Sequence, residues 1–116
     1  MFIAYVSVTV VTILANGGIA IADFARARFV LANSAEVDVP PSWIPLLATL
    51  KVAGAVGLLV GLLGARFIGI AAAIGLVLFF IGAVVAHIRA RVFHNIAFPG
   101  AYLALATASL VLAIAR

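Results

Sequence analysis

The stretch SWIPLLATLKVAGAVGLLVGLLGARFIGIAAAIGLVLFFIGAVVAHIRAR, residues 42–91, decides the fold. It holds two apolar runs, about Trp43 to Leu63 and Phe67 to Ala86, parted only by Gly64-Ala65-Arg66. Each run is close to the ~20 residues that a helix needs to cross a ~30 Å hydrocarbon core at 1.5 Å per residue. Period-two alternation is absent, which argues against a transmembrane β-barrel. Three residues allow only a tight hairpin, so the two helices are antiparallel neighbours. Two further runs flank this pair, about Phe2 to Ala22 and Pro99 to Ala115. The expected fold is all-α, an integral membrane four-helix bundle forming one transmembrane domain over residues 1–116.

Composition agrees. Hydrophobic residues make up 68% of the chain and charged residues 9%, against about 45–50% and about 25% in ordinary soluble domains. Seven basic and three acidic side chains cannot coat 116 residues in water, so the lipid bilayer is the expected partner of the outer surface. With no cysteine present, disulfides, thiolate metal sites and thiol redox chemistry are excluded. The basic balance does not point to nucleic acid, because no basic stripe with interleaved aromatics occurs. MFIAYVSVTVV lacks a basic leader and is read as a retained first helix instead of a cleaved signal peptide. Abundant Ala, Val and Gly, with Arg preferred over Lys, suggest a GC-rich bacterium and hence a bacterial inner membrane.

The connections carry the polarity. Asp23 to Ser42 is long and mixed: FARARFVLA either extends helix one or lies along the interface, and NSAEVDVPPS follows as loop. Pro40-Pro41 stop it, Ser42 is expected to cap helix two, and Trp43 to mark the headgroup level. Arg26, Arg28, Arg89 and Arg91 sit on the two long loops, against Arg66 and Arg116 on the other side. The positive-inside rule then puts both long loops in the cytoplasm and both termini outside. Gly57 and Gly61 form GxxxG, echoed by Gly69 and Ala73, a spacing that lets helix backbones approach within the bundle or across a homodimer.

Polar groups inside a membrane are costly and are therefore the candidate functional residues. Tyr5, Thr9, Thr12, Asn16 and Asp23 are spaced 4, 3, 4 and 7, which places all five on one stripe of helix one, facing the bundle interior. Lys51 lies eight residues beyond Trp43, roughly 12 Å deeper, where a lysine costs about 2.5–3.5 kcal/mol to insert. Snorkelling relieves this only in part, because the stem reaches ~6 Å. The alternation of spans brings Asp23, Lys51, His87, Arg89 and Tyr102 into one membrane half, with Asn16 at nearly the depth of Lys51. Asp23 or Asn16 can satisfy Lys51, and His87 can relay protons to it. Asp23, Lys51 and His87 are thus the acid–base candidates, and Asn16, Arg89 and Tyr102 the binding candidates. Plainer readings stand beside these: Asp23 with Arg26 as a surface pair, His87, Arg89 and Arg91 as a basic helix end, and Tyr102 as an interfacial anchor. No zinc-protease, nucleophile-elbow or phosphate-loop motif occurs, and no metal site is expected.

These polar positions, set in VPPSWIPLLATLKVAGAVGLLVGL and IGIAAAIGLVLFFIGAVVAHIRAR, resemble the DoxX-like family of small bacterial four-helix membrane proteins. The resemblance runs from ADFARARFV to the last helix, and Asp23, Lys51, His87 and the HIRAR arginines match its recurrent polar positions. It implies a link to quinone-dependent sulfur oxidation and to membrane oxidoreductase assemblies. The first functional expectation is therefore a subunit that holds a quinone or similar lipophilic molecule near Lys51 and supports a redox partner. The second is a stand-alone enzyme using Asp23, Lys51 and His87 to isomerise or cyclise a lipophilic substrate. The third is a small multidrug-type exporter, ranked last because such transporters rely on a glutamate within helix one, where this chain has no acid before Asp23.

Overall fold

The structure, a computed structural model, describes residues 1–115. It is entirely helical, with α1 Phe2–Phe24, α2 Arg28–Glu36, a 3-10 turn Pro41–Trp43, α3 Ile44–Leu62, α4 Arg66–Arg89 and α5 Ala97–Ala115. Four helices are long and apolar enough to span a bilayer: α1, α3 (counted from the 3-10 turn), α4 and α5. Each span packs against two neighbours, so that α1, α3, α4 and α5 close a ring in that order. Leu58, Ala73, Leu76, Phe80 and Ala106 form the packed centre. Large apolar side chains such as Ile3, Leu14, Phe67 and Leu78 point outward and are mostly exposed, as lipid-facing positions must be.

The structure differs from the sequence expectation at several helix boundaries. Helix one continues through Asp23 to Phe24, then breaks at Arg26, whose φ of 53° cannot continue a right-handed helix. The segment beyond the break does not extend α1, and the expected loop shrinks to residues 37–40 before the 3-10 turn. Residues Arg28–Glu36 form a separate short helix that takes in the NSAE residues. Ser42 does not cap α3: the chain makes a 3-10 turn instead, with Trp43 N–H donating to the Pro40 carbonyl at 3.0 Å and no side-chain cap. α4 runs three residues past Ala86, so His87 and Arg89 belong to its last turn.

The α3–α4 hairpin turns on Gly64, whose φ of +127° suits glycine. Just beyond it the two backbones nearly touch. A Cβ added to Gly61 would lie 2.6 Å from Gly69 Cα, and one added to Gly57 would lie 2.5 Å from Ala72 Cβ. The GxxxG face is thus used within the chain's own bundle.

Candidate functional site

The inward face of α1 consists of Tyr5, Thr9, Thr12, Asn16, Ala20 and Asp23, all buried. The five polar side chains of the stripe do face the bundle interior. Thr12 Oγ1 lies 2.8 Å from the Val8 carbonyl and 3.4 Å from the Leu105 carbonyl, and it shares a 2.7 Å hydrogen bond with Ser109 Oγ on α5. Asn16 Nδ2 donates to the Thr12 carbonyl at 3.0 Å, and Tyr102 O–H donates to the Ala15 carbonyl at 3.1 Å. This section ties α1 to α5. It leaves Thr9 Oγ1 and Asn16 Oδ1 enclosed without a hydrogen-bond partner.

At the end of the stripe, Lys51 Nζ meets Asp23 Oδ2 at 2.7 Å, with the two side chains 12% and 6% exposed. Asn16, the other expected partner, is turned to its own helix. Helix geometry explains the pairing. The Cα–Cβ bond of Lys51 tilts toward the N-terminus of α3, the end that lies beside the last turn of α1. A carboxylate in a last turn faces the negative end of the helix dipole, and the ammonium offsets that repulsion. The ring of Phe79 lies 5.5 Å from Nζ and adds a cation–π contact.

The pair forms part of the wall of a cavity of about 540 Å³ between the four spans. Ile19, Ile44, Leu47, Phe79, Phe80 and Phe98 make it mostly apolar, while Asp23, Lys51, Asn33, His87, Asn95 and Tyr102 contribute polar groups. Phe80 and Phe98 flank Tyr102, with ring centroids 5.2 and 6.0 Å away. α2 and the segment after it supply further wall through Phe29, Val30, Asn33, Ser34 and Val37. Hydrogen bonds fasten this element. Asn33 Oδ1 lies 3.2 Å from His87 Nε2 and accepts from Asn95 Nδ2 at 2.8 Å. Glu36 meets His94 at 2.6 Å on the exposed side.

His87 Nδ1 faces the Ala83 carbonyl at 2.8 Å. A carbonyl only accepts, so Nδ1 carries hydrogen. Nε2 then has two consistent arrangements: protonated and donating to Asn33 Oδ1, or unprotonated and accepting from an Asn33 amide turned over together with that of Asn95. Both ring nitrogens are engaged away from Lys51 and Asp23, so His87 shares the cavity without touching the ion pair.

The structure therefore gathers Asp23, Lys51, His87 and Tyr102 around one cavity. Asn16 lies deeper on the stripe, and Arg89 is exposed and outside the wall. Asn33, Asn95 and Phe79 join the site although the sequence did not single them out. Among the described residues, no group of three or more His, Cys, Asp or Glu side chains could hold a metal ion.

The sequence pattern that defines the DoxX-like family matches residues 7–109. The chain belongs to the DoxX-like family. No curated protein matches it, and no solved structure does. The family match takes in every residue of the DoxX-like cavity, from Ile19 to Tyr102. It leaves out Tyr5 at the far end of the α1 stripe. The cavity lies wholly inside the part of the chain common to the family.

Proposed function

We propose that this DoxX-like protein binds a quinone or a similar lipophilic molecule in the cavity around Lys51 and supports the redox chemistry of a partner subunit. One observation carries the reading: an ammonium–carboxylate pair, nearly closed off from solvent, stands in the wall of an otherwise apolar cavity of about 540 Å³. That volume lies within the usual ~300–1,000 Å³ range of small-molecule sites, which combine apolar walls with a few placed polar groups.

The residues present fit a quinone. Lys51 has three N–H donors and gives one to Asp23, which leaves two for an acceptor oxygen on a ring. Phe79, Phe80 and Phe98 offer flat apolar faces to that ring. A bound quinone would supply a carrier for two electrons and two protons. Asp23 holds and aims the Lys51 side chain, and the apolar walls strengthen its hydrogen bond by excluding water. His87 holds a proton at Nδ1 and presents Nε2 to the Asn33 pair, where it can take up or release a second one. With no thiol in the chain, the electrons come from the partner.

The protein is a multi-pass protein of the bacterial inner membrane in this reading. Arg26, Arg28, Arg89 and Arg91 hold both long connections in the cytoplasm and leave both termini outside. The α2 side of the cavity then faces the cytoplasm.

Mass spectrometry of lipophilic molecules extracted from the purified protein tests the proposal. A quinone retained by the wild type and lost from Lys51→Ala is the expected result. Wild-type protein that carries only bulk phospholipid, or equal quinone content in the two proteins, would rule it out.

A further inference from the structure

Phe79 borders two cavities. Besides the Lys51 cavity, it lines a groove of about 510 Å³ between α3 and α4, together with Leu50, Gly54, Ala72, Gly75 and Leu76. Every residue lining this groove is apolar. Leu50 and Leu78 at its edges are 47% and 64% exposed, so it opens on the lipid-facing side of the bundle. Along α4 it runs from Phe79 back to Ala72, seven residues or roughly 10 Å, a length suited to a chain of about eight to ten carbons.

We propose that this groove holds the hydrocarbon tail of the ligand whose ring occupies the Lys51 cavity, with Phe79 as the wall between ring site and tail site. This inference rests on the quinone reading above. A lipophilic carrier with a polar ring and a long tail must send the tail out of a cavity lined in part by Asp23, Asn33, His87 and Asn95. The groove begins at Phe79, whose ring contacts the ammonium, has no polar side chain in its lining, and leads to lipid. It has no chemistry for a headgroup. A tail already dissolved in lipid gains no hydrophobic free energy by entering it, so the groove selects by shape and contact. Filling it should exclude a tail and spare a ring.

Gly75 allows that to be tested cleanly, because a Cβ added there has no neighbour within 4 Å. The probes are a benzoquinone bearing a ten-carbon chain and the same ring bearing a methyl group. Trp43, the single tryptophan, lines the Lys51 cavity and reports binding by quenching in nanodiscs. Gly75→Phe should weaken the ten-carbon probe by roughly tenfold or more and leave the methyl probe within about twofold. Gly18→Phe, on α1 with equally open space, should change neither.

Equal affinity of wild type and Gly75→Phe for the ten-carbon probe overturns the groove assignment and leaves the ring site standing. A matched loss of both probes also overturns it, because the substitution would then act through the ring site and not through a separate tail site. Altered oligomeric state in Gly75→Phe with both affinities intact would assign the groove to a contact between copies. If neither probe quenches the wild type, the quinone reading fails and the tail groove fails with it.

Discussion

Replacing Asp23 and Lys51 singly and together measures how far the ion pair is removed from water. At 2.7 Å and an effective dielectric constant of ~20, the two charges attract by about 6 kcal/mol. Desolvation offsets much of this, so the pair need not stabilise the fold against an apolar replacement. Losing one partner is different. Asp23→Leu leaves an ammonium whose side chain is only 12% exposed, and stranded buried charges of this kind cost about 3–5 kcal/mol. Lys51→Met strands the carboxylate at the end of α1, with a similar expected loss. The double variant Asp23→Leu/Lys51→Met removes both charges and should recover to within about 1–2 kcal/mol of wild type or exceed it. The coupling energy of the cycle is then about 4 kcal/mol or more, whereas exposed pairs give at most about 1 kcal/mol. Unfolding by SDS titration in mixed micelles, followed by helical circular dichroism, gives all four stabilities. A coupling below about 1 kcal/mol would refute the argument and mean that Lys51 snorkels to water.

Three further outcomes are expected. Gly61→Ala, whose Cβ would lie 2.6 Å from the Gly69 backbone, should cost about 1–3 kcal/mol in the same titration, while Gly18→Ala, with open space, should be neutral or stabilising by up to about 1 kcal/mol; equal effects would contradict the close α3–α4 approach. Asn33→Leu removes the contacts to His87 and Asn95 and should loosen α2, raising maleimide labelling of a single cysteine at Ala83→Cys by roughly thirtyfold at ~1 kcal/mol for each of the two lost bonds. The cysteine-free background makes that label unique, and an unchanged rate would show that α2 is held by other contacts. A single Ser34→Cys should react with an impermeant thiol reagent in inside-out vesicles only; reaction in intact spheroplasts would reverse the orientation.

How much of this was legible in the sequence depends on the interaction concerned. The α1 stripe could be read because a span in lipid has one inward face, and Thr9, Thr12, Asn16 and Asp23 recur with the helix period. The approach of Lys51 to Asp23 followed from connectivity, since alternating spans put the end of α1 beside the start of α3. The short helix α2 could not be read in this way. Nine residues of mixed polarity are too few to form a helix without tertiary contacts. The breaks that bound it fall at Arg26 and Asp38, with φ of 53° and 62°, and neither break carries a glycine. With α2 hidden, the link from Asn33 to His87 and Asn95 was hidden as well. Ser42 read as a cap by residue type, but the turn begun at Pro40-Pro41 takes Trp43 N–H first. Phe79 resembled any apolar residue of α4 until its ring was placed beside Lys51.

The cavity itself arises from a gradient along the α3–α4 seam. Starting at the hairpin, Gly61 abuts the Gly69 backbone, Gly57 faces the Ala72 methyl group, Gly54 faces the Leu76 side chain, and Lys51 faces the Phe79 ring. The α4 partner thus grows from no side chain to methyl, isobutyl and benzyl over about three helical turns. Helix separation follows the bulk of the side chains at the contact, so a seam closed by glycine at one end is propped apart by Lys51 and Phe79 at the other. Space opens in the half where the loops from α1 and α4 bring Asp23, Asn33, His87 and Asn95. Polar groups there can meet one another across a gap that apolar packing does not fill, while at the hairpin itself the contact between Gly61 and Gly69 leaves no gap between α3 and α4. The glycines and the ion pair act together in this arrangement: the first fix the closed end of the wedge, and the second occupies its open end.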